Sequence, residues 1–177
     1  MKLPRVPDRI TSPIRKICNI IGSSEKPRYI EVSVAPDAVV NDCFINVANK
    51  ISRDGGDVQY GWAIWYLPGV LMEAEFHAVW CSPEGVLIDI SPRPIKFDKI
   101  LFVPDPARVY EGQQVNNIRI PLKKDENVRE FIQLHEKLFR IMNEGELANK
   151  HGEIEFPRET MEPIIRRLSE LKGILDI

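Results

Sequence analysis

The stretch Val70–Pro92, VLMEAEFHAVWCSPEGVLIDISP, decides the fold. Its first half alternates. Leu71, Glu73, Glu75, His77 and Val79 fall on one face, and Met72, Ala74, Phe76, Ala78 and Trp80 form an apolar face opposite. That period of two predicts a strand backed by core. Ser82-Pro83-Glu84-Gly85 is a type I turn sequence with Gly last. Val86–Ser91 then returns as a second strand, closed by Pro92. If Pro83-Glu84-Gly85 form a loop with a Gly bulge, Ser82 pairs with Val86, Val79 stands opposite Asp89 and His77 opposite Ser91. His77 and Asp89 then share a face as diagonal neighbours, about 7–8 Å apart at the backbone. A loop one residue longer would place them on opposite faces. The turn sequence favours the first register.

Upstream, Val58–Leu67 (VQYGWAIWYL) reads as another strand, rich in aromatics and joined to the first by Pro68-Gly69. Before it lies a helix. Asn41 is its expected N-cap, with Asp42 in the first turn. Cys43, Val47 and Ile51 share one face with Phe44 and Ala48 beside them, and Asp54-Gly55-Gly56 ends it. Tyr29–Val34 alternates as a strand, and Ser12-Pro13 opens a short helix with Ile14, Ile17, Cys18 and Ile21 on its apolar side. Downstream, strands are expected at Ile100–Val103 and Asn117–Pro121, with a loop between them. From Asp125 a helical period carries Val128, Phe131, Ile132, His135, Leu138, Phe139 and Met142, with Gly145 as the cap. A polar connector containing His151 leads to a last helix with Met161, Ile164, Ile165, Leu168 and Leu171 on one face and Gly173 as the stop.

The chain has 177 residues, 44% of them hydrophobic and 28% charged, with a net charge of -2. One domain with a sizeable core is expected. No basic cluster marks a nucleic-acid or anionic-membrane surface. No apolar run approaches the ~20 residues that span a bilayer, and the N-terminus lacks a secretory h-region. A cytoplasmic protein is the resulting expectation. Three widely spaced cysteines, Cys18, Cys43 and Cys81, fit free thiols rather than a disulfide framework. Cys18 reads as core.

One ordered set of residues carries chemistry: Cys43, His77 and Asp89. A thiol attacks as the thiolate, which a helix N-terminus and a nearby imidazolium both favour. Cys43 stands at a helix start, and Asp42 beside it opposes that effect. The free N–H groups there suit an oxyanion, with Asn41 and Asn46 as the nearest side-chain amides. A zinc site from His77 and Cys81 lacks the two close-spaced ligand pairs that structural zinc uses. Glu73 and Glu75 are spaced so that a carboxylate pair is possible, but nothing else supports one and a solvated strand face is the preferred reading.

These residues resemble the core of transglutaminase-like proteins in the papain-like cysteine-enzyme superfamily. In that group a helix begins at the catalytic cysteine and ends in a Gly turn. A His-Ala strand and an Asp-x-Ser/Thr-Pro strand follow. Here the matching residues are Cys43, Gly55-Gly56, His77-Ala78-Val79-Trp80 and Asp89-Ile90-Ser91-Pro92. The resemblance implies Cys43 as nucleophile, His77 as general base and acid, and Asp89 as the orienting group. It covers about fifty of the 177 residues and departs where the family usually has Ala-Arg after the Gly turn; this chain has Asp57-Val58-Gln59-Tyr60.

The expectation is therefore an α+β fold: an antiparallel β-sheet packed against the helix carrying the cysteine, with extra N- and C-terminal helices. Residues 29–121 would form the papain/transglutaminase-like core and 122–177 a C-terminal helical extension. The expected activity is a thiol-dependent hydrolase or acyl transferase acting on a peptide or protein amide. It needs no metal or organic cofactor. The alternative is a non-enzymatic module that presents the aromatic 58–66 strand and the 125–144 helix to a protein partner.

Overall fold

The computed structural model describes residues 1–145 and 158–177. The fold is mixed α+β. Chain order is α1 (Ser12–Ile21), β1 (Arg28–Val32), α2 (Cys43–Asp54), β2 (Asp57–Leu67), β3 (Leu71–Cys81), β4 (Leu87–Asp89), β5 (Lys99–Pro104), β6 (Ile118–Pro121), α3 (Glu126–Met142) and α4 (Arg158–Leu175). The connector with His151 lies outside the described residues.

The β2–β3 hairpin is the spine, paired in register from Asp57–Cys81 to Leu67–Leu71. The turn after β3 takes the expected form. Ser82 N–H donates to the Val86 carbonyl, and Gly85 N–H donates to Ser82 O with Gly85 at φ +82°. Only glycine adopts that backbone freely. Trp80 consequently stands opposite Ile88 and Cys81 opposite Leu87, the register that puts His77 and Asp89 on one face.

The sheet differs from the expected antiparallel one in two ways. The β1–β4 pair is parallel, because the chain between them runs through α2 and the whole β2–β3 hairpin before returning alongside. The order β2-β5-β1-β4-β3, with β3 pairing back to β2, closes five strands into a barrel, and β6 attaches to β3 outside the ring. Ile30, Ala63, Trp65, Val79, Ile100 and Phe102 fill the interior from four strands. Gly61 faces the same interior. A Cβ there would collide with the Val103 carbonyl and the Phe102 ring.

Outside the barrel, α1 seals the opposite face with Ile14 and Ile17 against Trp62, Met72, Phe76 and Leu101. The α2 helix lies across the end of β3, its Val47 buried with Ala78 and Ile90. The C-terminal helices form a separate cluster, with Phe131, Ile132, Ile164, Leu168 and Leu171 closing over Val70 and Leu71. The surfaces that a binding module would present are thus used internally. Trp62 and Trp65 are 2% and 8% exposed, and the apolar stripe of α3 packs on α4.

Several boundaries move from the sequence reading, each for a local reason. Helix α1 is capped by Thr11 rather than Ser12, and α2 by Asp42 rather than Asn41. Asn41 instead takes a left-handed turn at φ +64°. Helix α3 ends before Gly145, because the Asn143 side-chain amide donates to the Phe139 carbonyl and closes the last turn. Gly173 does not stop α4: Leu171 and Leu175 are both buried one turn apart, and that packing carries the helix through the glycine. Ile165, placed on the apolar face by spacing, is 53% exposed. No helix among the described residues is long and apolar enough to cross a membrane.

Candidate active site

One edge of β3 is fully paired with β2. Its other edge is paired with β6 at Leu71–Ala74 and with β4 at Trp80–Cys81. Between these, residues 75–79 have no strand partner on that edge, and His77 sits in the gap. Gly61 is its partner across the hairpin.

His77 is 3% exposed and Asp89 fully buried. The reading of this strand face as solvated is therefore corrected: it turns into the barrel, where the hairpin register directs it. Nε2 of His77 lies 3.0 Å from Oδ1 of Asp89. Asp89 has three donors in all, because the Ser91 N–H also reaches Oδ1 at 3.1 Å and an Arg93 guanidinium nitrogen reaches Oδ2 at 2.5 Å. Burial pushes the Asp89 carboxyl up, but the charge and hydrogen bond of His77, Arg93 and the Ser91 N–H together hold it below the usual carboxylate range. Burial likewise opposes charge on His77. The Asp89 charge and hydrogen bond, joined by the hydrogen bond and charge of Cys43, outweigh it and raise the imidazole from 6.5 to about 10. With Nε2 turned to Asp89, Nδ1 is the nitrogen left for Cys43.

Cys43 is the first residue of α2, partly exposed. The first intrahelical bond runs from Asn46 N–H to the Asp42 carbonyl. The N–H groups of Cys43, Phe44 and Ile45 therefore have no acceptor within the helix. Cys43 and His77 open together on a cleft of about 160 Å³, lined also by Asn41, Phe44, Glu75, Pro92 and Arg93. A second cleft of about 310 Å³ continues from it through Asn41, Glu75 and Arg93 to Trp65, Phe97 and Asn117.

The two amides separate in role. Asn41 lines the cleft beside Cys43. Asn46 does not serve as an oxyanion donor: it is buried, its oxygen accepts from Val39 N–H, and its amide nitrogen donates to Val39 O and Ser91 Oγ at 2.8 and 3.3 Å. It pins the loop before α2 to the end of β4, which sets the helix N-terminus against His77. Glu73 is engaged by Arg119 at 2.7 Å and by Asn117 at 2.9 Å, while Glu75 accepts from the Trp65 indole at 2.8 Å. They border the clefts rather than solvent alone.

Two residues at the site carry no signature in the sequence. Arg93 binds Asp89, places its other terminal nitrogen 3.3 Å from His77 Nε2, and lies 4.9 Å over the Trp65 ring. The only local signal for it is its spacing of four from Asp89, in a segment that is not helical. Tyr110 stacks flat on Phe44, with ring centroids 3.7 Å apart. Burial first, then the nearby Cys43, Asp42 and Tyr60, pushes its phenol above the ordinary value. The 105–117 loop delivers it from across the molecule, so no spacing reveals it. Cys18 packs in the core beside Ile14 and Ile17, and burial pushes its thiol up. His135 lies edge-on to Phe131 at 4.5 Å and does not line the cleft that holds Cys43.

No family model matches the chain, and no match was found among curated proteins or solved structures.

Proposed function

We propose that residues 29–121 are a papain/transglutaminase-like core and that the chain is a thiol-dependent enzyme acting on amide bonds, with Cys43 as nucleophile, His77 as acid and base, and Asp89 as its orienting group. The observation that carries this reading is the continuous arrangement of a thiol on a helix N-terminus, a buried imidazole and a buried carboxylate, opening on one cleft. A packing role for Cys43 would not require a buried charged histidine beside it.

In the proposed cycle the Cys43 thiolate bonds to the amide carbonyl carbon, and the oxygen takes the negative charge. The donors proposed for that oxyanion are the N–H of Cys43, which has no acceptor within its helix, and the Asn41 amide, which lines the same cleft. Collapse breaks the C–N bond, and the leaving nitrogen takes the proton from His77 Nδ1. Water then adds to the thioester carbon as His77 takes its proton. The C–S bond breaks, a carboxylic acid leaves, and the thiolate–imidazolium pair is restored. Hydrolysis is preferred to transfer because water is always present to accept the acyl group. Asp89 keeps Nε2 engaged throughout, so that Nδ1 faces the reaction.

The direct test is incubation with a peptide mixture rich in side-chain and backbone amides, followed by mass spectrometry of the products and of the protein. The expected result is new carboxyl products together with a thioester on Cys43, both absent in Cys43→Ala. Products that persist in Cys43→Ala, or acyl groups spread equally over Cys18, Cys43 and Cys81, contradict the proposal.

A further inference from the structure

Arg93 has no part in the thiol, imidazole and carboxylate roles above, yet it is the residue most closely fitted to them. It is 16% exposed at the side chain. One terminal nitrogen holds Asp89 Oδ2 while His77 Nε2 holds Oδ1, so a single carboxylate is divided between two cations. The other terminal nitrogen lies 3.3 Å from His77 Nε2. A guanidinium only donates. When Nε2 carries its proton, this contact sets donor against donor and cation against cation. Loss of the Nδ1 proton ends the repulsion between the two cations, while the Nε2–H stays on Asp89. The Trp65 ring under the guanidinium fixes it in place.

We infer that Arg93 is a positioning residue that limits the hold of Asp89 on the His77 proton, keeping His77 able to give that proton up within the catalytic cycle. The inference rests on the proposed function for its meaning, but not for its test. The groups facing His77 are Asp89 and Arg93 from the β4 side, Cys43 and Asp42 from the start of α2, and Glu75 on its own strand. One of these changes during the proposed cycle: Cys43, whose charge disappears when it is acylated. At that stage the Cys43 contribution to holding the proton is gone, and His77 must be neutral to accept a proton from water. Asp89 still favours the charged ring. Arg93 offsets that attraction at the step where it obstructs turnover.

The experiment uses Cys43→Ala, whose uncharged side chain stands for the acylated state. The His77 ring is titrated by NMR in this background, alone and with Arg93→Met. The chain has three histidines, so the ring signals are assigned by single His→Gln variants. The expected result is a His77 midpoint at least ~1 pH unit higher with Arg93→Met, a tenfold change in proton affinity. Arg93→Lys, which keeps the charge without the fork, is expected to restore most of the original midpoint. Should Arg93→Met fold poorly, Arg93→Gln retains a donor to Asp89 without charge and is expected to shift the midpoint the same way. A midpoint unchanged or lowered in the folded neutral variants overturns the inference. The outcome is read without substrate, so an inactive wild-type protein would count against the proposed function and leave this result standing.

Discussion

At the residue scale the account turns on one buried carboxylate serving three donors. Removing one partner of a buried ion pair leaves the other charge uncompensated and costs about 3–5 kcal/mol. Asp89→Ala leaves both His77 and Arg93 without their anion, so a loss of that size in urea-unfolding stability is predicted, together with a fall in the His77 midpoint. Cys43→Ala is different. The thiol is partly exposed at a helix start, and its loss is predicted to abolish turnover while changing stability by less than ~1 kcal/mol. Unfolding of Cys43→Ala would mean that the thiol serves packing. The residues of the proposed triad were legible because alternation and a turn are local: Val79 opposite Asp89 follows from the Gly85 bulge alone. Arg93 and Tyr110 were not, since neither a loop return nor a guanidinium reaching backward has a period.

At the element scale, α2 and the β2–β3 hairpin set the site, and both were readable from apolar spacing and Gly turns. What was not readable was how strands far apart in sequence pair. The expected single antiparallel sheet gave way to a parallel β1–β4 pair, which depends on the path of a long crossover rather than on any residue within either strand. The edge of β3 left unpaired at residues 75–79 lies between its pairings with β6 and β4 and likewise follows no local signal. Helix ends moved where packing overrode a glycine, as at Gly173, or where a side chain capped early, as at Asn143. Gly61→Ala drives a methyl into the Val103 carbonyl and the Phe102 ring beside His77. Overpacking of this kind costs about 1–3 kcal/mol. The midpoint of urea unfolding should fall accordingly, and an unchanged midpoint would contradict the close approach of β2 and β5.

At the scale of the whole molecule, two histidines pull stability in opposite directions with pH. His77 has its folded value raised from 6.5 to about 10, so its contribution is fully present below 6.5 and is lost as pH rises towards 10. His135 has its folded value lowered from 6.5 to about 4, first by burial, then by Arg119 and Lys172 against the opposing Glu73. Its contribution is present above 6.5 and is lost as pH falls towards 4. The melting temperature is therefore predicted to drop between pH 6.5 and pH 4.5, and to drop less in His135→Phe. An equal drop in both proteins would place the acid sensitivity elsewhere. The closed barrel, with helices packed on it at three places, holds the site.

The most direct measurement of the central claim is the rate of iodoacetamide alkylation at each cysteine of the native protein from pH 5 to pH 9, read by mass spectrometry. Ordinary thiols ionise near pH ~8.5 and react slowly below pH ~7. The account predicts that Cys43 is alkylated well ahead of Cys18 and Cys81 at pH 6, and that His77→Ala removes this advantage. Slow alkylation of Cys43, or a fast rate that His77→Ala leaves unchanged, would contradict a thiolate–imidazolium pair and with it the reading of this cleft as an active site.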